Sequence, residues 1–508
     1  MLSKGFSGSV SLYGLIFVET LTGFIVTMIL VRGLPQTEYG IFKLVGSFVT
    51  IGVSVCLLGM DRAFLRYGAE LIIRKNLDAL FFLLKRMVLI RISALSILVV
   101  AIYVSREFLS NIFHITLLQQ CDLFLMLLIL ILTGVNSLWG IAFQHARLDQ
   151  VQASINLILA RVLLLLGYTY VIWMGFGLSG ILFVWFFSSF FSTVYFSITN
   201  RQWIRQNRRG LTVNLKRFEG LERSFVKRVG RFSSYAYVAQ LVNLFKDLTV
   251  DNVVIAYYLG PKEVALYSLA TVLINFAMSL NPASRLRTVF QPIFVERHTE
   301  NNSEAPLIRG FQIMIKLTFF TCLPVLAMLT IFGDKIIAFL FSSEYLAAVV
   351  PMTWLAFFML FGSLEYPFIT LLNTVEKNQI ILVGGIFSVY NLVMNIILIP
   401  KLGIQGAAIA TGSARLLEFL FFWTATKKFV RLKIRFPWVS FGKTVMNLCP
   451  CLVCCWLIKP LINNLIGLLV VCLLSAALYL FCSILNKIFS ADERDSINAR
   501  VGKRLFVF

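Results

Sequence analysis

The sequence predicts an all-α integral membrane protein of about fourteen transmembrane helices. They form two parallel-repeat six-helix lobes around a central cavity, followed by two C-terminal helices. Three features lead there: composition, the length of the apolar runs, and a phrase that occurs twice. Of 508 residues, 59% are hydrophobic, only 14% are charged and 47 are Phe, with mean hydropathy +0.85. A soluble domain is about 45–50% apolar with about 25% charge. A chain this apolar cannot cover its own surface in water.

Apolar runs fall at 8–31, 41–60, 82–104, 121–143, 153–174, 178–199, 234–258, 264–282, 310–333, 347–372, 379–399, 404–425, 444–462 and 464–486. Most approach the ~20 residues that an α-helix needs to cross a bilayer. The first, from Val10 to Val31, is long for a signal-peptide core and lacks a small-x-small cleavage site, so it reads as a spanning helix. The stretch 61–80 is amphipathic and basic, and is expected to lie on the surface rather than cross.

The cations orient these spans. With the N-terminus cytoplasmic, the inner loops hold Arg62, Arg66, Arg74, Lys75 and ten Lys/Arg between Arg201 and Arg231. Further along they hold Arg285, Arg287, Arg297 and Arg309, the group Lys427, Lys428, Arg431, Lys433 and Arg435, and the tail cations Lys487, Arg494, Arg500, Lys503 and Arg504. The outer loops carry single cations: Arg32, Arg106, Lys262, Lys335, Lys401 and Lys459. This is the positive-inside pattern, and it accounts for most of the +22 charge without nucleic acid as a partner. The basic stretch 201–231 reads as a solvated linker near anionic headgroups.

LPQTEYGIF begins at Leu34 and LGPKEVALY at Leu259. Leu34 aligns with Leu259, Glu38 with Glu263, Gly40 with Ala265 and Phe42 with Tyr267, 225 residues apart. FGLSG at 176–180 aligns with LGIQG at 402–406, 226 residues apart. Both matches fall in turns joining equivalent helices, so the chain is expected to repeat in parallel. The expected divisions are an N-lobe over 1–200, a basic cytoplasmic linker over 201–233, a C-lobe over 234–426, two further helices within 427–487 and a cytoplasmic tail over 488–508. Parallel repeats build transporters whose halves rock about a shared site.

The same residues resemble a known family. LPQTEYGIF and LGPKEVALY look like the turn after the first helix of each half in the polysaccharide (O-antigen, Wzx-like) flippases. IPKLGIQGAAIAT (399–411), LLNTVEKN (371–378) and DNVVIAYYLG (251–260) are similar to stretches of the same family. The resemblance covers about residues 5–430, and Pro35 departs from the usual Leu-Gly-Pro. It implies the multidrug/oligosaccharidyl-lipid/polysaccharide exporter superfamily, with two lobes in an inverted V. It further implies a flippase moving isoprenoid (undecaprenyl) pyrophosphate-linked oligosaccharide across the bacterial cytoplasmic (inner) membrane, with both termini cytoplasmic. Polysaccharide polymerase and chain-length machinery are then candidate partners. The rivals are a multidrug extruder of the same superfamily and, from another class, a membrane polymerase or glycosyltransferase.

Ionisable groups inside spans are costly and mark functional candidates. Gln240, Asn243, Asp247 and Asp251 would share about 80° of one helix face at 100° per residue. Asp247 and Asp251, at i and i+4, disfavour joint ionisation. They serve either H⁺ or Na⁺ coupling or the pairing of helices; no other cofactor is expected. Glu19, midway along the first helix, is their counterpart. Arg91 and Lys316 lie 225 residues apart, at equivalent places, and suit an anionic pyrophosphate, although Arg91 is also placed to snorkel. Arg161 has no acid at i±3 or i±4 and is a further candidate. Arg415 has Glu418 at i+3 to neutralise it. Glu365, beside Tyr366 and Pro367, marks a bent tenth helix as a gate or as kink support.

CPCLVCC at 449–455 contains one CxxC but lies in an apolar helix without a nearby His, so cysteine packing is favoured over zinc. Three scattered His, no P-loop and a basic largest loop argue against an enzyme.

Overall fold

The computed structural model describes residues 20–74, 76–113, 115, 120–147, 150–208, 223–245, 248–281, 305–430, 435–501 and 507–508. Among them, every regular element is a helix. The first part contains α1 (Thr20–Gly33), α2 (Gln36–Cys56), α3 (Met60–Ile73), α4 (Leu77–Val104) and α5 (Arg106–Ile112). Next come α6 (Gln120–Val135), a π-helical turn (Asn136–Ala142), α7 (Phe143–Ala146), α8 (Gln150–Met174) and α9 (Gly177–Arg208). Then follow α10 (Arg223–Leu244), α11 (Leu248–Leu259) and α12 (Pro261–Ser279). Beyond these are α13 (Ala305–Leu340), a 3₁₀ turn (Ser343–Ala348), α14 (Val349–Thr374), α15 (Asn378–Gly384), α16 (Ile386–Leu402) and α17 (Ile404–Phe429). The chain closes with α18 (Trp438–Ile458), a 3₁₀ turn (Lys459–Leu461), α19 (Leu465–Asn486) and α20 (Ala491–Val501).

The all-α membrane fold is as expected. Among the described residues, 10 helical segments are long and apolar enough to cross a membrane. The expected spans outside that group have physical reasons to be weaker. The first is described only from Thr20, and the seventh is divided between α10 and α11. The twelfth carries Arg415, Glu418, Lys427 and Lys428. The division at 245–247 also removes the single continuous helix on which the stripe from Gln240 to Asp251 depended. The basic stretch 201–233 is helical at both ends, because α9 runs to Arg208 and α10 starts at Arg223. The amphipathic stretch after residue 60 becomes α3, whose apolar side is buried. Ala63, Phe64 and Tyr67 pack there with Leu80, Leu84 and Phe143.

The chain divides into two compact units, Met1–Ala265 and Leu266–Phe508. In the first, α2 contacts α6 and α11, while α8 packs along α9. In the second, α14 is flanked by α13 and α17, around Phe311, Met314, Leu364, Phe368 and Phe422. The aligned outer turns share a backbone feature. Gly177 (φ +59°) precedes the body of α9 and Gly403 (φ +61°) caps α17, a region of φ/ψ space that glycine enters without Cβ strain.

The two copies of the repeated phrase also touch. A Cβ at Gly40 would lie 1.9 Å from the Pro261 carbonyl oxygen and 3.4 Å from the Ala265 nitrogen. Backbone cannot yield as a side-chain tip can. Gly40→Ala is therefore expected to destabilise by about 1–3 kcal/mol, the usual cost of overpacking. Thermal unfolding of the purified variant checks this, and an unchanged midpoint would show that the two turns can part freely.

Candidate functional site

A cavity of about 500 Å³ opens inside the first unit, among α1, α2, α6, α8 and α9. Two cations line it, Lys43 and Arg161, and no carboxylate does among the described residues. Lys43 sits about 10 Å into α2, at 1.5 Å per residue from Gln36. Its ammonium lies over the Tyr39 ring, 5.3 Å from the centroid. Arg161 stands near the middle of α8, and the two charges are close enough to repel. An anion entering the cavity would relieve that repulsion, and each cation could give it a charge-assisted hydrogen bond.

The opposite wall is polar but neutral. Ser188, Ser189 and Ser192 come from one side of α9, with Asn136 and Ser137 from the π turn. Ser188 Oγ donates to the Ala160 carbonyl (3.2 Å), beside Arg161, and Asn136 Nδ2 donates to the Ser189 carbonyl (3.1 Å). These bonds knit α9 to both neighbours while leaving further lone pairs for a sugar or phosphate. A π turn within an α-helix breaks the regular i→i−4 ladder, and such turns concentrate at functional sites.

Arg91 stabilises that turn from behind. It is 1% exposed and pairs with Asp61 at 2.7 Å. Its Nη1 donates to Ser137 Oγ (2.6 Å) and the Gly134 carbonyl (3.3 Å), and its Nη2 donates to the Leu57 carbonyl (2.8 Å). Leu58 and Gly59, both at positive φ, turn the chain between α2 and α3 at the same place. One guanidinium thus ties the α2–α3 turn to the cavity's π turn. Arg91 is therefore not at the water interface as a snorkelling cation would be.

The other expected residues are distributed as follows. Arg161 lines the cavity. Lys316 pairs with Glu493 in the last helix at 2.8 Å. Arg415 and Glu365, assigned to different roles from sequence, come together at 3.3 Å, with Glu418 near enough to add its charge. Arg415 thus meets an acid on a neighbouring helix rather than only along its own. Glu365 precedes Pro367, which lies inside α14. Asp251 is fully buried in the first turn of α11, where the helix dipole favours a carboxylate. The adjacent Asn252 donates to Ser47 Oγ (3.2 Å) and fixes α11 on α2. Glu19 and Asp247 lie outside the described residues. No group of three or more His, Cys, Asp or Glu among the described residues could hold a metal ion.

Lys43 was missed in the sequence because the second span was expected to begin at 41, which places the lysine at a helix end. Pro35 followed by Glu38 is a helix-start signal that moves the boundary back and the lysine inward.

Residues 29–350 match the family described as polysaccharide biosynthesis protein. An uncharacterized membrane protein of Methanocaldococcus jannaschii is 23% identical over 96% of each chain. The fold is similar to that of the lipid II flippase MurJ in an inward closed conformation, with TM-score 0.72 and 16% identity over 96% of this chain and 99% of that one. It also resembles an inward-facing multidrug resistance MATE family transporter of the MOP superfamily, with TM-score 0.58 and 15% identity, covering 82% of this chain and 96% of that one.

Proposed function

We propose, because this chain belongs to the polysaccharide biosynthesis protein family, that it is a flippase for isoprenoid (undecaprenyl) pyrophosphate-linked oligosaccharide in surface polysaccharide biosynthesis. Its place would be the bacterial cytoplasmic membrane, with O-antigen-type units as one cargo class and both termini cytoplasmic. One observation carries the reading: Lys43 and Arg161 share a polar cavity that no carboxylate lines among the described residues. A pyrophosphate needs cationic donors inside the membrane, whereas a cationic drug would favour acids there. The serines and asparagines on the facing wall offer hydrogen bonds to sugar hydroxyls.

In this mechanism the headgroup binds at Lys43 and Arg161 while the prenyl chain stays in lipid. Arg91, Lys316 and Arg415 each face a carboxylate and are assigned to holding helices in place. A ligand shifts a conformational equilibrium only by its differential affinity for the two states. A proton or Na⁺ at Asp251, acting with Glu19 and Asp247, would supply such a bias. Asp251→Asn is then expected to lower transport about 5–150-fold, the usual range of site-to-site coupling. Wild-type transport by that variant under an imposed proton or Na⁺ gradient would remove Asp251 from the mechanism.

Depletion in the host tests the cargo. Accumulated pyrophosphate-linked oligosaccharide, loss of surface polysaccharide and unchanged drug susceptibility support a flippase. Normal lipid intermediates with new drug susceptibility would indicate an extruder instead.

A further inference from the structure

Arg91 and Lys316, at equivalent positions of the repeat, are both held by carboxylates, but the carboxylates have different origins. Asp61 belongs to α3, whose apolar face is part of the first unit's core. Glu493 belongs to α20, beyond both repeats. Both its oxygens lie 2.8 Å from Lys316 Nζ, with the lysine 13% and the glutamate 8% exposed. A capping box shapes the acid: the Ser490 N–H donates to Glu493 Oε2 (2.9 Å), and the Glu493 N–H donates to Ser490 Oγ (3.3 Å).

The approach to α20 is anchored firmly. Ile488 and Phe489 are buried against Ile313, Leu317 and Phe320 of α13. Ser440 Oγ donates to the Ile488 carbonyl (3.2 Å), and Lys443 Nζ to the carbonyls of Asn486 (2.9 Å) and Lys487 (3.1 Å). The helix itself is anchored differently. Its sequence, ADERDSINARV, has no apolar face. From Ala491 to Asp495, Glu493 alone is buried. A polar cavity of about 350 Å³ also lies there, lined by Arg309 and Gln312 of α13 and by Ser490, Asp492 and Glu493. Water can therefore reach the edge of the pair. A polar helix held largely through one water-adjacent ion pair is a low-stability element on an otherwise apolar anchor.

We propose that α20 is a releasable clasp on α13: the Lys316–Glu493 pair holds the inner part of that helix, and breaking the pair frees both. The first repeat has its counter-charge built into its core, whereas the second borrows one from a detachable segment. Motion of the second unit's longest described helix is then under the control of the chain's last helix.

Hydrogen exchange of the purified full-length protein in detergent tests this without reference to cargo. In Glu493→Gln and in Lys316→Gln, amides of 491–501 are expected to exchange at least about tenfold faster, together with those of 307–320, while α19 keeps its wild-type protection. The charge swap Lys316→Glu/Glu493→Lys is expected to restore protection in both segments, which separates the clasp from general misfolding. Unchanged exchange in 491–501 in both single variants would overturn the proposal. So would faster exchange there with 307–320 unaltered, since the helix would then hang from α13 without holding it.

Discussion

Arg91→Met is expected to lower the thermal midpoint of the purified protein by on the order of 10 °C, from a loss of about 3–5 kcal/mol. The substitution removes a counter-charge from Asp61 and donors from the carbonyls of Leu57 and Gly134 in one step. Most of the cost comes from what remains: a carboxylate without its cation, and carbonyls of irregular backbone without donors. Arg91→Met combined with Asp61→Asn should recover part of the loss, because the uncompensated charge is gone. Differential scanning fluorimetry of the three proteins checks this. The experiment also separates the two roles the sequence allowed for Arg91. A residue that only bound cargo would leave the midpoint unchanged and abolish transport; a structural pin lowers the midpoint first.

Lys43→Glu is expected to abolish transport, by about 100-fold or more, while leaving the thermal midpoint close to wild type. Losing one charge-assisted hydrogen bond to an anion costs about 1.5–3 kcal/mol, or roughly 10–150-fold in binding. Glutamate does more than delete the donor. Beside Arg161 it would occupy the anion site with a carboxylate of its own and neutralise the remaining cation. The predicted order of activity is therefore wild type, Lys43→Arg, Lys43→Gln, then Lys43→Glu. Arg161→Gln should resemble Lys43→Gln, and the pair should be non-additive because both contact one ligand. Quantifying surface polysaccharide in complemented cells, with membrane protein levels measured in parallel, gives that order.

The parts of this structure legible in sequence are those that depend on hydrophobic run length and on local turn chemistry. The spans around α4, α8, α9 and α19 fall within a few residues of their apolar stretches, since little else can cover such surface. The aligned glycines Gly177 and Gly403 mark equivalent turns because few residues other than glycine tolerate that backbone. The site was legible only in part. Arg161 stood out through the absence of a local acid, and it does line the cavity. The 225-residue offset correctly singled out Arg91 and Lys316 as a matched pair. Their partners, Asp61 and Glu493, come from a short helix and from the last helix, and no local spacing rule reaches that far. The π turn was illegible for a different reason: one widened turn barely alters a hydrophobic periodicity averaged over a whole span. The same averaging hid the division between α10 and α11. Gly40 carries a further lesson. Alignment made it the counterpart of Ala265, but only coordinates reveal that the counterparts touch.

The most direct test is transport in liposomes containing the purified protein and a fluorescent isoprenoid-pyrophosphate oligosaccharide, comparing wild type with Lys43→Gln/Arg161→Gln. Wild type should carry the labelled headgroup across the bilayer, and the double variant should lose at least about 100-fold of that rate while keeping its thermal midpoint. Equal rates in the two proteins, or a wild type that leaves the lipid-linked sugar in place while moving a cationic drug, would contradict an anion-binding flippase.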